Sequence, residues 1–314
     1  MPRTPRLQAS RLSPPLPPRA LDALLRSFLR EDLGTAGDVT SRALVAADRR
    51  ATAQVCARQA GVMAGAQVAR RLVRLTSPKL RCRVLVPDGA RFRRGAPVLL
   101  LSGPLRPMLA VERTLLNVTG RMSGVATATR AMVDATGRTG ARIRDTRKTT
   151  PGLRALEKFA VRCGGGVSHR AGLFDAFLAK DNHLAGLAAA DLPRAVATAV
   201  RRARARAPLA FAMVEVDTPA QFRALLSLPR GVVDAVLLDN MTPATMRRLV
   251  ALRDAHAPWL TLEASGGVTL DRVPAIAASG VDFISAGSIT HSAPQVDFGL
   301  DIVEAPARGG RRRD

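Results

Sequence analysis

The chain has 314 residues, enough for about two domains whose cores need no disulfide or metal staples. Hydrophobic residues make up 47% of it and charged residues 23%, as in ordinary globular proteins. No apolar run approaches the roughly 18 residues of a membrane span. Collagen-like, disulfide-stapled and membrane-spanning classes are therefore excluded, and we expect a soluble protein with no membrane partner.

The charge of the chain is its most unusual bulk property. Lys and Arg number 48 against 25 Asp and Glu, a formal charge of +23, and all but four of the basic residues are arginine. Such an excess suits anionic metabolites, membrane surfaces or nucleic acid. Aromatic residues are only 3% and tyrosine is absent, so few side chains could stack on bases. We expect nucleic acid to bind nonspecifically, if at all.

Both ends of the chain have a biased composition. Residues 1–19 hold six prolines and four arginines but no acid, and predict a disordered arm; residues 305–314 predict a basic tail. The arm lacks the apolar segment of a signal peptide, and its prolines oppose the amphipathic helix of a transit peptide. The three cysteines have no C-x-x-C spacing. These features favour a cytoplasmic protein.

Residues 20–135 predict an N-terminal mixed α/β domain, sandwich-like in arrangement. An apolar stripe at i, i+3, i+4 and i+7 spacing begins at Leu21 and predicts a helix that ends at Gly34. Alternating strands with a helix near 68–75 are predicted over 51–101. A long connecting helix is predicted over 108–135.

Residues 136–292 predict a (β/α) barrel that is incomplete, and residues 293–304 are expected to return and pack on the N-terminal domain. Polar residues stand at or just after the ends of six short strands, which would converge on one face of a barrel. The alternative is an open doubly wound sheet, but neither a G-x-G-x-x-G nor a G-x-x-x-x-G-K-[ST] motif is present. The predicted strands are 141–143, 177–179, 211–214, 235–238, 260–262 and 283–284.

Cations gather near the predicted strand ends. Arg147, Lys148 and Lys180 follow strands, and Arg170 follows a run of three glycines. Guanidinium and ammonium groups in one mouth favour a multiply anionic ligand. Lys158, by contrast, is expected on the solvated face of a helix.

Acidic and small residues end the later strands. Glu215 and Asp239 end consecutive strands and could hold a divalent cation or ribose hydroxyls, whereas no histidine pair has H-x-x-x-H spacing. Small residues after the last two strands suit a phosphate cradle of backbone N–H groups, although tight βα turns would also favour them. They are Ser265, Gly266, Gly267, Gly287 and Ser288.

Nine ordered segments carry a resemblance to one family. They are EDLGTAGDVTS (31–41), VERTLLN (111–117), DTRKTTPGLRALEKFAV (145–161), SHRAGL (168–173), AKDNH (179–183), VEVD (214–217), LLDNM (237–241), LEASGG (262–267) and ISAGSITHS (284–292). Together they resemble the quinolinate phosphoribosyltransferases, type II phosphoribosyltransferases, over nearly everything except the two ends. The resemblance implies transfer of a phosphoribosyl group from phosphoribosyl pyrophosphate to quinolinate with decarboxylation. The products would be nicotinate mononucleotide, pyrophosphate and CO2 in de novo NAD biosynthesis, with Mg²⁺ as cofactor.

The resemblance also implies roles for single residues. The two carboxylates of quinolinate would be bound by Arg113, Arg147, His169 and Arg170, with Arg113 supplied across the interface of a homodimer or a multiple of dimers. The catalytic residues would be Lys148, Lys180, Glu215 and Asp239, and the two acids would also hold the metal directly or through water. The phosphate would meet Ser265, Gly266, Gly287 and His291.

Other interpretations remain open at this point. Ser168 and Ala179 depart from the family's usual Asn and bulkier aliphatic residue, but neither change removes a charge. A paralogue associated with molybdenum transport would lack the K-D-N-H segment that stands here at 180–183. Nicotinate phosphoribosyltransferase would accept one carboxylate without decarboxylation. A nucleic-acid-binding protein would use the basic surface, and an inactive paralogue would retain the same site residues.

Overall fold

The computed structural model describes residues 12–303, so the predicted basic tail and the first eleven residues of the predicted arm lie outside the described part. The chain divides into two compact units. The first contains the described part of 1–127 together with 155–164 and 293–303, and the second contains 128–154 and 165–292.

The elements are numbered in chain order. The helices are α1 (Pro18–Leu33), α2 (Val39–Leu44), α3 (Ala66–Thr76), α4 (Leu105–Ala135), α5 (Arg154–Cys163), α6 (Asp181–Leu184), α7 (Leu192–Arg204), α8 (Pro219–Leu225), α9 (Pro243–His256), α10 (Val273–Ala277) and α11 (Ser288–His291). The strands are β1 (Arg50–Ala57), β2 (Gly61–Val62), β3 (Arg81–Val84), β4 (Arg91–Phe92), β5 (Pro97–Pro104), β6 (Arg142–Arg144), β7 (Phe177–Ala179), β8 (Ala212–Val216), β9 (Ala235–Asp239), β10 (Thr261–Ser265), β11 (Phe283–Ser285) and β12 (Phe298–Val303).

The first unit is built on a four-stranded antiparallel sheet of order β12-β1-β5-β3. Strand β12 pairs with β1 from Phe298 opposite Ala57 to Val303 opposite Thr52. The last described segment of the chain thus forms an edge of the N-terminal sheet.

Helix α1 begins at Pro18, two residues inside the segment expected to be an arm, because proline is favoured in the first helical turn. Its buried face is Leu21, Leu25 and Leu29, as the apolar stripe predicts. On α1, Asp22 accepts two hydrogen bonds of 2.5 Å from Arg71 of α3. Burial of one stripe and this bidentate pair fix α1 against α3.

Helix α5 belongs to the first unit, whereas the sequence placed it inside the barrel domain. Its Glu157 side chain is 1% exposed and pairs with Arg121 of α4 at 2.7 Å. The expectation that Lys158 is solvated is wrong, because this residue is only 5% exposed. Most of α5 is buried from Leu156 onward, so neither charge faces water.

The second unit contains a six-stranded parallel sheet of order β6-β11-β10-β9-β8-β7. Strands β6 and β7 are its edges and do not pair with each other among the described residues, so the barrel is not closed. The predicted fold class, a mixed α/β domain followed by an incomplete (β/α) barrel, is confirmed. Within residues 12–303, no helix combines the length and apolarity that crossing a bilayer requires.

Candidate active site

The carboxyl ends of the parallel strands bring most predicted site residues to one edge of the second unit. Strand β7 leads directly into Lys180, and β9 ends on Asp239. Glu215 lies within β8, one residue before its end, because β8 extends two residues beyond the predicted strand. In parallel sheets these ends share one edge, which is where ligands bind.

The segment 167–170 is held beside the end of β6. Asp145 follows β6, is fully buried, and accepts the backbone N–H of His169 at 2.8 Å. Val167 forms an isolated parallel bridge with Arg144. These contacts extend the sheet by a short loop, and they deliver the His169 and Arg170 side chains to the strand edge.

Two arginines of this edge act on each other. Arg170 is 7% exposed, and its pKa is lowered first by burial and then by the positive charge of Arg147, while Asp175 and Glu215 oppose the shift. A guanidinium nevertheless stays protonated. Arg147 Nε is buried and donates to no acceptor in the described part of the chain. Two guanidinium groups that repel each other, one of them with a buried donor that lacks a described acceptor, are an arrangement that favours binding of an anion.

Lys180 and Glu215 are brought together. Lys180 Nζ donates to Glu215 Oε2 at 2.9 Å, with the lysine side chain 46% exposed and the carboxylate 7% exposed. The backbone N–H of Lys180 also donates to Nδ1 of His183, at 3.0 Å. The ammonium is therefore oriented by a buried acid of the neighbouring strand and still reaches solvent.

The two acids fit a magnesium ion that a substrate helps to hold. No group of three or more His, Cys, Asp or Glu side chains in residues 12–303 could hold a metal alone. Glu215 and Asp239 lie on adjacent strands and offer carboxylate oxygens. Because Mg²⁺ characteristically binds one or two carboxylates, several waters and substrate phosphates, this donor set suits it.

Gly287 gives two candidate residues room to approach the backbone. A Cβ atom at Gly287 would lie 3.0 Å from Lys148 Cδ and 3.1 Å from His291 Nε2. The hydroxyl of Thr290 donates to the Lys148 carbonyl at 2.7 Å. Lys148 is thus a neighbour of Gly287 and His291 in space, although it lies more than 100 residues before them in the sequence.

Ser265 and Gly266 form the other small-residue turn. Ser265 ends β10 and is in register with Asp239. Gly266 has φ +88°, and a Cβ there would collide with the Asn240 side chain. Glycine is required here by both the backbone conformation and the close approach.

A buried network around Glu263 was not predicted from the sequence. This carboxylate is fully buried on β10, where burial raises its pKa and the charge of Arg144 counteracts the shift. Arg144 Nη1 donates to it at 2.6 Å, and Ser285 Oγ also donates to it. His169 Nε2 lies 3.4 Å from its Oε1. The polar positions at three neighbouring strand ends were the available signal.

The ring of His169 is directed into the protein, whereas Arg113 is exposed. Nδ1 of His169 accepts the Arg170 N–H at 2.7 Å while Nε2 faces Glu263, so both ring nitrogens are directed into the protein. Arg113 lies on α4 in the first unit, where it is exposed. The other predicted site residues lie in the second unit.

Comparison of the sequence with known protein families identifies the family of this chain. Residues 38–123 match the N-terminal domain of quinolinate phosphoribosyl transferase, and residues 125–301 match its C-terminal domain. The chain belongs to the quinolinate phosphoribosyltransferase family. A Mycobacterium leprae nicotinate-nucleotide pyrophosphorylase [carboxylating] is 43% identical over 280 residues, which cover 88% of this chain and 95% of that protein.

Solved structures agree with membership of the quinolinate phosphoribosyltransferases. The nicotinate-nucleotide pyrophosphorylase of Francisella tularensis superposes with a TM-score of 0.80 at 32% identity, covering 92% of this chain and 98% of that one. Human nicotinic acid phosphoribosyltransferase has a TM-score of 0.55 at 14% identity, covering 92% of this chain and 74% of that one. The second likeness shows a shared fold only.

Proposed function

We propose that this chain transfers the phosphoribosyl group of phosphoribosyl pyrophosphate to the ring nitrogen of quinolinate and decarboxylates the product. Nicotinate mononucleotide, pyrophosphate and CO2 result, a reaction of de novo NAD biosynthesis. The observation that carries the proposal is that Arg147 Nε is buried without an acceptor among the described residues, while the positive charge of Arg147 acts on the buried guanidinium of Arg170. Both arginines stand at the strand edge of a chain that belongs to the quinolinate phosphoribosyltransferase family.

The arginine pair suits a dicarboxylate better than a monocarboxylate. Each guanidinium presents a planar fork that matches one carboxylate, so two guanidinium groups can hold two carboxylates of one ring. This favours quinolinate over nicotinate as the acceptor. In this proposal His169 supports Arg170 through its Nδ1 contact, and Arg113 of a second copy completes the acceptor site.

Acids and lysines act on opposite charges during transfer. The ribosyl carbon becomes oxocarbenium-like as pyrophosphate leaves, and the carboxylates of Glu215 and Asp239 stabilise that positive charge. Lys148 and Lys180 stabilise the departing pyrophosphate. When bound, Mg²⁺ would neutralise pyrophosphate charge, held by Glu215 and Asp239 directly or through water. The turns at Ser265–Gly266 and Gly287, with His291, receive the 5′-phosphate.

Decarboxylation needs no nucleophile from the protein. Once the ring nitrogen is alkylated, the carbon–carbon bond to the adjacent carboxylate breaks and its electron pair stays on the ring carbon. The pyridinium charge stabilises this carbanion, and a proton from water then replaces CO2. Arginines and lysines contribute by positioning and electrostatics.

Assembly and location remain predictions. A homodimer, or a multiple of dimers, is needed if Arg113 reaches a neighbour's acceptor site. The cytoplasmic location is supported by the sequence features given above, and nonspecific contact with nucleic acid by the charge of +23.

A turnover assay tests the proposal. Purified protein is given phosphoribosyl pyrophosphate and Mg²⁺ with quinolinate, nicotinate or nicotinamide, and nicotinate mononucleotide is measured. We expect product with quinolinate only, and about 10³-fold slower product formation by Arg147→Ala. Product with nicotinate but not quinolinate would contradict the dicarboxylate assignment, and no product from folded wild-type protein would contradict the activity.

A further inference from the structure

Asn240 has an unusual backbone conformation directly after the candidate site residue Asp239. It has φ 53°, and it is the one non-glycine residue with positive φ in the described range 12–303. It directly follows β9, and its backbone N–H donates to the Ser265 carbonyl at 3.0 Å. Glycine adopts this conformation more readily than any other residue. A turn alone would therefore favour glycine, and the asparagine points to a use of its side chain.

The side chain of Asn240 contacts two parts of the site. Its Nδ2 donates to Oδ2 of Asp239 at 2.6 Å. Its Oδ1 lies where a Cβ of Gly266 would collide with it, and that Cβ would also lie 2.7 Å from the Asn240 backbone nitrogen. The amide therefore contacts both the Asp239 carboxylate and the Gly266 turn, although Asn240 as a whole is exposed to solvent.

We propose that Asn240 is a positioning residue for Asp239. Its hydrogen bond occupies Oδ2, so that Oδ1 is directed to the ligand, and its contact with Gly266 fixes the spacing between the carboxylate and the phosphate turn. This inference rests on the proposed function, in which both parts bind phosphoribosyl pyrophosphate. It predicts that the Asn240 amide affects this substrate and leaves quinolinate binding unchanged.

The substitution Asn240→Gly separates the amide from the turn. Glycine retains the left-handed backbone and the N–H bond to Ser265, and it removes only the side chain. A second variant, Asn240→Asp, retains the shape but replaces the donor with a charge that repels Asp239. Thr242→Ala is the matched control: it lies in the same loop and removes the N-cap of α9, whose hydroxyl accepts the Thr245 N–H.

Two measurements are made on each full-length variant. Calorimetry gives Kd for phosphoribosyl pyrophosphate with Mg²⁺ and, separately, Kd for quinolinate; steady-state kinetics give KM for each substrate. For Asn240→Gly we expect Kd and KM for phosphoribosyl pyrophosphate to rise about tenfold, the usual loss for a residue that orients a ligand-binding group. Quinolinate constants should stay within about twofold. We expect Asn240→Asp to lose more than Asn240→Gly.

The outcomes separate this inference from the proposed function. Wild-type protein without turnover would contradict the function itself. Active wild type, with unchanged phosphoribosyl pyrophosphate constants in Asn240→Gly, would overturn the positioning role. Equal losses for both substrates, matched by Thr242→Ala, would show a role in loop stability alone and would also overturn it.

Discussion

Two buried arginine–carboxylate pairs, one in each unit, have nearly the same shortest N–O distance and different surroundings. In the first unit Arg121 lies 2.7 Å from Glu157, and in the second Arg144 lies 2.6 Å from Glu263; both carboxylates are at most 1% exposed. Arg121 also donates to the Ala293 carbonyl at 3.0 Å. Its pair therefore joins α4, α5 and the returning segment of one compact unit.

The pair of the second unit is in contact with a candidate site residue and has an unmet hydrogen-bond donor. Arg144 Nε is buried and makes no hydrogen bond with the described residues, and its guanidinium lies over the Phe283 ring at 4.0 Å. Glu263 faces His169 as well as Arg144. The comparison teaches that burial of a charge pair does not reveal its role. The two pairs differ in their remaining hydrogen bonds. Arg121 also donates to a backbone carbonyl of its own unit, whereas Arg144 Nε, like Arg147 Nε, has no acceptor among the described residues.

The largest expected effect is the loss of activity when Arg147 is replaced. Arg147→Ala removes a cation whose Nε has no described acceptor and which faces another arginine. We expect kcat/KM for quinolinate to fall about 10³-fold, as when a preorganised donor is removed from an active site. Because like-charge repulsion is relieved, the melting temperature should stay constant or rise. A folded variant with wild-type kinetics would contradict this assignment.

The next largest expected effect is a loss of stability when the Arg121–Glu157 pair of the first unit is broken. Glu157→Gln leaves the buried Arg121 charge uncompensated, and we expect the free energy of unfolding to fall by about 3 kcal/mol. Denaturant titration measures it. The kcat/KM of the folded variant should stay within about twofold of wild type. A large kinetic loss with unchanged stability would erase the distinction between the two pairs.

Glu263→Gln tests the corresponding pair of the second unit, Arg144 and Glu263. The amide is isosteric but holds Arg144 and His169 less firmly, so we expect KM for quinolinate to rise about tenfold. The KM for phosphoribosyl pyrophosphate should stay unchanged. Ser285→Ala, which removes another donor to this carboxylate, is the control for simple loss of packing. Equal changes in both KM values would indicate a structural role like that of Glu157.

The smallest effect concerns a partly exposed ion pair of the first unit, Arg71 and Asp22. Arg71 lowers the pKa of Asp22 chiefly by hydrogen bonding. A lowered folded pKa stabilises the protein above the unfolded value of about 3.9, and this contribution is lost as pH falls through the folded pKa. Asp22→Asn should therefore lower the melting temperature slightly at pH 7, and the difference from wild type should vanish in acid. A melting-temperature difference that grows on acidification would contradict this prediction.

Much of the architecture could be predicted from local sequence. Periodicity predicts the apolar stripe of α1, the long helix α4 and the six parallel strands. The positions of Lys180 and Asp239 follow from the ends of those strands. The predicted edges of β6 and β8 were off by one or two residues, because a polar residue can continue a strand as well as end it.

Other features depend on tertiary contacts that no local pattern encodes. Lys158 lies in a helix with charged residues, so its burial could not be expected without knowing that α5 packs in the first unit. The sequence places Glu263 among the polar residues after predicted strands, but its buried contacts with Arg144 and Ser285 exist only in the folded sheet. No local pattern distinguishes Asn240, because a positive φ is a property of the folded turn.

The most direct test of the central claim is the stoichiometry of decarboxylation. Quinolinate labelled in the carboxylate next to the ring nitrogen is incubated with phosphoribosyl pyrophosphate, Mg²⁺ and the full chain, and labelled CO2 and pyrophosphate are measured together. The account predicts equal amounts of both, none without phosphoribosyl pyrophosphate, and formation of both slowed about 10³-fold in Arg147→Ala. Pyrophosphate release without labelled CO2 would contradict it.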